Sequence, residues 1–307
     1  MMDMRVNLGG IELPNPVMPA SGTFGEGMAS VIDMGRLGAF VTKTITEKER
    51  LGNPLPRVAE FPGGMLNSIG IPSRGVEHFL HHHLPFYQQW DVPLVVSISA
   101  SSVENFGRLA EQVTRSGVAA IEANISCPNL EQDGKAFGMY PDTTMQVVKE
   151  IRSRSHLPLW VKLTPNASDL TTIACAAEEG GAGALVVANT ILAMSINIHT
   201  FRPSLGSTMG GLSGPMVKPI ILRQVYQCAQ CVNIPIIACG GITETADAIE
   251  YMLAGASALQ VGTANFLNTS TMSDIIFGLD KFCKNRGIQQ LSDIIGACRQ
   301  YCEAQPD

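Results

Sequence analysis

Eight short apolar runs recur along the chain, separated by longer segments, several of which carry apolar residues at helical spacing. The runs are PVMPAS (16–21), AFVTKT (39–44), LVVSIS (94–99), AIEANI (120–125), LWVKLT (159–164), ALVVAN (184–189), IIACGG (236–241) and ALQVGT (258–263). Most are continuous rather than strictly alternating, the pattern of parallel strands covered on both faces. Between them lie VENFGRLAEQVTRSG, DTTMQVVKEIRSR and TETADAIEYMLAG, helix candidates of which two run to a glycine. The alternation predicts an α/β protein, a (β/α)8 TIM barrel. Sequence order alone leaves a doubly wound sheet open.

In a barrel the loops after the strands build the active site. Three are long here, running from 45 to about 93, from 126 to about 141 and from 190 to about 215, after strands 2, 4 and 6. They are expected to carry substrate contacts or a lid. No low-complexity linker, short repeat or charge run marks a boundary, so residues 1–307 are expected to form one domain.

Composition narrows the function. A hydrophobic fraction of 45% with 16% charged residues supports a large core, and 21 basic against 27 acidic residues, net −6 with no basic block, disfavours nucleic acid as a partner. The opening MMDMRVNLGG has neither a basic nor an apolar signal region, and no apolar stretch reaches the roughly 18 residues of a membrane span. Eight scattered cysteines fit free thiols in a reducing compartment. The expected location is the cytoplasm.

Polar residues gather where the strands end. Ser21, Lys43, Thr44, Ser97, Asn124 and Lys162 stand at or just beyond the C-terminal ends of the first five runs, and Asn189, Thr190, Gly240, Gly241, Gly262 and Thr263 at those of the last three. Singly, each has a plainer explanation, since Ser and Asn suit turns and Lys can snorkel from a core edge. Two lysines aimed at one barrel mouth imply an anionic ligand. ACGGIT (238–243) and VGTANF (261–266) place glycines after strands 7 and 8, where this fold commonly binds phosphate through backbone N–H groups and a helix N-terminus. Tight turning alone would also ask for glycine. No G-x-G-x-x-G follows a strand, and GGAGAL (180–185) precedes one, so a Rossmann-type dinucleotide site is poorly supported.

The segments NPVMPASGTFGEG, GNPLPRVAEFPGGMLNSIGIPSRGVE, NISCPN, VKLTPN, VVANT, GGLSGPMVKPIILRQVYQ, IPIIACGGI and AGASALQVGTANF together give a specific signature. Through them the chain, from about residue 5 to about residue 280, resembles the class 1 dihydroorotate dehydrogenases, most closely the class 1B catalytic subunit. The resemblance implies an FMN-dependent (β/α)8 barrel that oxidises dihydroorotate to orotate in pyrimidine biosynthesis. FMN would be held by Ser21, Lys43, Thr44, Asn124, Lys162 and Gly214, by Gly240, Gly241, Gly262 and Thr263, and near the backbone of Ala188. Orotate would meet Lys43, Asn67, Asn124, Asn129, Asn189 and Thr190, with Ser68, Ile69, Gly70 and Ile71 completing the loop that carries Asn67. A flat cyclic amide with one carboxylate suits asparagines, each offering donor and acceptor, better than it suits carboxylates.

The resemblance also assigns Cys127 as the base that takes the C5 proton, with Lys43 serving substrate and flavin together and Lys162 facing the flavin edge where negative charge develops. An unperturbed thiol titrates near about 8.5 and is a few per cent ionised at neutral pH. Without the resemblance, Cys127 reads as a buried structural thiol. At the end of strand 3 the family commonly has Asn where this chain has Ser97, a shorter group whose cofactor contact could be lost or replaced by water.

Other clusters read as structural. His81, His82 and His83 are consecutive, so on a helix they point different ways, while Cys228 with Cys231 and Cys298 with Cys302 are isolated pairs short of a zinc or iron–sulfur ligand set. No metal is expected. Residues 281–307 carry no assigned role beyond packing on the barrel.

The class 1B resemblance further implies a separate subunit with FAD and a [2Fe-2S] cluster that passes electrons to NAD, in a heterotetramer built on a catalytic homodimer. The alternatives are a fumarate-dependent class 1A-like homodimer, a dihydropyrimidine dehydrogenase-like subunit acting on an uncharged pyrimidine, and a tRNA-dihydrouridine synthase, which would bring a basic RNA-binding extension. A flavin-binding scaffold without catalysis is the alternative outside the enzymes, and an intact Cys127 and Lys43 argue against it.

Overall fold

The structure, a computed structural model, describes residues 2–126 and 136–298. Among them, the eight expected runs form one parallel sheet. Its strands are β1 (Val17–Pro19), β2 (Phe40–Val41), β3 (Leu94–Ile98), β4 (Ala120–Asn124), β5 (Leu159–Lys162), β6 (Ala184–Val187), β7 (Ile236–Ala238) and β8 (Ala256–Val261). Hydrogen-bonded order runs β1-β8-β7-β6-β5-β4-β3-β2, so each strand lies beside its sequence neighbour all the way round. The two ends meet at a seam. There Gly38 N–H donates to Val17 O at 2.8 Å, and Asn15 bridges both sides, its Oδ1 accepting from Val17 N at 3.1 Å and its Nδ2 donating to Arg36 O at 2.9 Å. This is the (β/α)8 barrel, not the doubly wound alternative.

The strands are short because only their middles are flanked on both sides. Phe40–Val41 covers two of the six residues of its run, the remainder leaving the ladder to enter the loop above. Every residue of β3, β4, β5 and β6 is buried, which explains runs that do not alternate.

Helices α1 (Val103–Val113), α2 (Pro141–Arg154), α3 (Leu170–Gly180), α4 (Lys218–Cys231), α5 (Thr245–Ala254) and α6 (Thr271–Arg286) wrap the sheet. In α1, Phe106, Leu109, Ala110 and Val113 form the buried stripe, and Ser102 caps the start by accepting from Asn105 N at 3.2 Å. The helix stops at Val113, short of the expected Gly117, because Gly117 belongs to the turn that leads into β4. Burial of each large apolar side chain in this layer contributes about 1.5–3 kcal/mol.

The barrel floor is closed. A hairpin of Val6–Asn7 with Glu12–Leu13 lies across it, burying Leu8 and Leu13, and the Trp160 indole N–H donates to Leu8 O at 3.2 Å. Chemistry is therefore confined to the upper mouth. There the loops after β2 and β6 do what sequence reading missed and fold together. Strands Val58–Phe61, Gly64–Asn67, Met209–Ser213 and Ile191–Met194 form a four-stranded antiparallel sheet. The third long loop lies largely in 127–135, outside the described residues. At the other end of the chain Leu291 is buried and its N–H donates to Asp3 O at 3.1 Å, so 281–298 pack against the N-terminal segment.

The seam gives a direct test. A Cβ on Gly38 would overlap the carbonyl of Asn15. Gly38→Ala is expected to cost about 1–3 kcal/mol, as overpacking does, read as a lower urea midpoint with an unchanged slope. An unaltered midpoint would mean the seam is not close-packed.

Candidate active site

A cavity of about 700 Å³ opens at the C-terminal ends of the strands beneath the antiparallel sheet. Into it come residues from opposite sides of the mouth. From the barrel, Ser21, Lys43, Thr44, Asn124, Lys162 and Ala188 line the base. Gly214, Gly240, Gly241, Gly262 and Thr263 form one end, while Asn189 and Thr190 stand beside the loop Asn67–Ile71 at the other.

The loop 67–71 is held from behind. Asn53 Nδ2 donates to Ser68 Oγ at 2.7 Å, Asn53 N donates to Ile69 O at 3.1 Å, and Arg57 Nε donates to Asn53 O at 2.6 Å. Gly70 sits at φ +78°, and a Cβ there would collide with Asn53. Across the sheet Asn67 pairs with Gly211, whose missing Cβ leaves the space that Thr190 occupies. Asn166 secures the second loop, its Nδ2 donating to Thr190 O at 3.2 Å and its Oδ1 accepting from Leu192 N at 2.8 Å.

Lys43 has no hydrogen-bond or acid partner among the described residues. Its side chain is open to the cavity and so solvent-accessible, yet the surrounding walls strip enough water to lower its pKa below the usual lysine value, with Arg57 adding repulsion. An ammonium left in this state favours an anionic ligand. Around it the amides are oriented. Asn124 Nδ2 donates to Thr44 Oγ1 at 3.3 Å, while Asn124 Oδ1 accepts from Ser126 Oγ at 2.5 Å and from Asn189 Nδ2 at 3.4 Å; Asn189 Nδ2 also meets Ser126 Oγ.

Lys162 is buried on the opposite wall, donating to Ser21 Oγ at 3.3 Å and to Gln260 Oε1 at 3.1 Å. Burial works against its charge, but Cys239 and Glu122 outweigh burial and the pKa is raised. Burial also raises the Cys239 thiol, against the pull of Lys162, so near neutral pH the thiol is uncharged.

At the glycine end, no acceptor among the described residues meets the backbone N–H groups of Gly240 and Gly241. Asp247 holds this turn, accepting from Thr243 N at 2.8 Å, Thr243 Oγ1 at 2.7 Å and Glu244 N at 3.1 Å, and pairing with Lys218 Nζ at 2.7 Å. Tyr251 OH donates to Gly240 O at 2.6 Å. The carbonyl is thus used internally while the amides stay free, which suits an anion such as a phosphate.

One expected contact is displaced. Ser97 is fully buried below the cavity and does not line it; its hydroxyl bonds Thr44 Oγ1 at 2.9 Å and donates to Glu122 Oε1 at 3.1 Å. Cys127 and Asn129 lie outside the described residues. Sequence reasoning overlooked Ser126, Asn166 and Cys239, although all three sit inside the quoted segments NISCPN, VKLTPN and ACGGIT.

The remaining clusters lie elsewhere. His81 Nδ1 bonds Glu77 O at 2.7 Å and His83 pairs with Glu26. Cys228 is not alone with Cys231, because Cys175 of α3 joins them; Cys228 and Cys231 are each pushed up to about 12, chiefly by burial, which leaves both as thiols. Cys298 is exposed, and Cys302 is outside the described residues. No described helix is long and apolar enough to cross a membrane.

Fold and site together define a (β/α)8 barrel whose mouth presents a lysine among asparagines on one side and glycine-rich turns with open backbone N–H groups on the other. A family model described as dihydroorotate dehydrogenase matches residues 3–283, and the chain belongs to that family. It is similar to proteins named dihydroorotate dehydrogenase B (NAD(+)), catalytic subunit. That of Desulforamulus reducens is 44% identical over 96% of this chain and 98% of the relative. Those of a Thermoanaerobacter species and Bacteroides fragilis are each 44% identical over 97% of this chain and 99% of the relative.

The turn at Asp247 is testable. Burial raises its pKa, but Lys218 and Thr243 outweigh that and the folded value lies below the ordinary 3.8. A depressed carboxylate stabilises the fold above its unfolded pKa, and that stability is lost as pH falls through the folded value. Asp247→Asn is expected to cost about 1.5–3 kcal/mol at pH 7, with the gap to wild type closing below about pH 4. A gap independent of pH in denaturation curves would refute the charge-based account.

Proposed function

We propose that this chain oxidises (S)-dihydroorotate to orotate, with FMN as its cofactor, in pyrimidine nucleotide synthesis. The observation that carries the reading is Lys43, an ammonium without a partner among the described residues, set among Asn67, Asn124 and Asn189 in one cavity. A carboxylate against Lys43 and ring amide groups against the asparagines would satisfy donors and acceptors that the protein leaves open. The family membership and the relatives' names support the same substrate.

The residues fit FMN on the chemistry of their donors. The free N–H groups at Gly240 and Gly241, with Gly262 and Thr263 beside them, would hold its phosphate, while Ser21, Thr44, Asn124, Lys162, Ala188 and Gly214 would border its ring and ribityl chain. Bound FMN supplies the acceptor for the hydride that leaves C6. Lys162 keeps a positive charge at its wall, and Lys43 and the asparagines fix the substrate's plane. Cys127 takes the C5 proton as a thiolate, and the electron pair of the C5–H bond becomes the new C5=C6 bond. The antiparallel sheet over the mouth limits water during the transfer.

The same reading gives this chain a cytoplasmic partner subunit bearing FAD and a [2Fe-2S] cluster, through which electrons pass to NAD, on a homodimeric catalytic core. The words "NAD(+)" and "catalytic subunit" in the relatives' names support it.

An anaerobic absorbance spectrum tests the proposal. The purified chain should be yellow and bleached by dihydroorotate, with colour returned by neither fumarate nor NAD alone. Recolouring by fumarate would move the acceptor to the class 1A kind, and a flavin that dihydroorotate leaves oxidised would refute the substrate. Cys127→Ser should keep the flavin and slow its reduction by about 10²–10⁴-fold, the usual worth of a general base. Undiminished reduction would remove Cys127 from the mechanism.

A further inference from the structure

Glu122 is fully buried in the barrel interior, is not one of the residues that line the cavity, and has no role in the chemistry described so far. In the parallel register it lies level with Ser97 on β3 and Trp160 on β5. Its two oxygens end two separate hydrogen-bond chains. Oε2 accepts from Gln260 Nε2 at 2.6 Å, and Gln260 Oε1 accepts from Lys162 Nζ at 3.1 Å. Oε1 accepts from Ser97 Oγ at 3.1 Å, Ser97 Oγ meets Thr44 Oγ1 at 2.9 Å, and Thr44 Oγ1 accepts from Asn124 Nδ2 at 3.3 Å.

The direction of both chains follows from the chemistry of their end. A carboxylate only accepts, so Ser97 must spend its one proton on Glu122 and take its other bond from Thr44. Thr44 has then used its own proton, which leaves Asn124 to present its NH₂ to Thr44 and its carbonyl to Ser126 and Asn189. On the other chain the Gln260 amide must turn its NH₂ to the carboxylate and its oxygen to the ammonium. One buried acceptor thereby sets the orientation of two amides, Asn124 in the cavity lining and Gln260 behind Lys162. Among the described residues the groups facing Lys162 are Glu122 through Gln260, Cys239, Ser21 and Gln260 itself, and of these Glu122 is the one carboxyl group, placed where it raises the Lys162 ammonium.

We infer that Glu122 is a positioning residue of this active site, orienting Lys162 through Gln260 and Asn124 through Ser97 and Thr44. The consequence for the reaction rests on the proposed function, since Lys162 borders the flavin only on that reading. The network itself does not.

Glu122→Gln is the same size but cannot satisfy both chains. Its NH₂ either confronts the Gln260 NH₂, forcing that amide to turn its donor on Lys162, or confronts Ser97 and reverses the hydroxyl chain. It also removes the countercharge. Glu122→Asp keeps the charge and is the comparison. The first readout needs no cofactor: side-chain NMR of Lys162 across pH, assigned with Lys162→Met. Glu122→Gln is expected to lower the proton affinity of Lys162 at least tenfold, with Glu122→Asp staying nearer wild type. The second is the midpoint potential of the flavin-loaded protein against pH. There Glu122→Gln should give a more negative potential and a new break where Lys162 titrates.

Unchanged Lys162 titration in Glu122→Gln overturns the inference, as does an Asp variant as impaired as the Gln variant, which would assign the effect to packing. A wild-type chain that holds no flavin, with the Lys162 shift intact, would defeat the proposed function and leave the positioning role standing.

Discussion

A sheet of parallel strands buried on both faces has no solvent edge to spare, and here it avoids one by closing on itself. Closure depends on a side chain that is absent. At Gly38 the backbone of β2's approach comes close enough to Asn15 and Val17 for a hydrogen bond across the seam, which any Cβ would obstruct. Once the ring is shut and its floor covered by Leu8 and Leu13, the upper mouth is left to bind and react. Strands that are only two to six residues long then deliver their last side chains into one volume, and that is how Lys43, Asn124 and Lys162, far apart in sequence, come to share a cavity.

The barrel was legible because its signal is repetitive and local. Seven of the eight apolar runs contain the strand assigned to them and the eighth overlaps β8, which starts two residues earlier; the polar residues at the ends of the runs, Ser97 excepted, are ones that reach the mouth. Ser97 shows the limit of that rule. It lies one residue before the end of β3, and with period-two alternation a single position decides between the cavity and the interior. Its neighbours Thr44 and Glu122 complete the buried chain that claims it, and they lie just past β2 and on β4, where no sequence window sees them together.

The roof over the mouth was less legible for a different reason. Its four strands belong to two loops more than a hundred residues apart, so the pairing of Asn67 with Gly211 has no local trace. One half did carry a signal. Pro62-Gly63 between Val58–Phe61 and Gly64–Asn67 puts proline and then a glycine at φ +82° in the turn, a hairpin signature set inside a segment read as loop. Asn166 was hidden likewise, since its two bonds to the loop at Thr190 and Leu192 exist only after the barrel has closed.

The roof has a consequence for how the site can vary. The loops that build it leave the barrel at β2 and β6, which stand opposite each other in the eight-strand ring, and ladder bonds knit them into one sheet. Side chains along a strand alternate faces, so gaining or losing one residue within a paired segment turns Asn67 or its partner away from the cavity, whereas a change of two restores the facing. Length in these loops is therefore counted in pairs, and an odd change in one can be absorbed only by a bulge or by a matching odd change across the ladder. Two stretches that look independently free to drift are bound by parity.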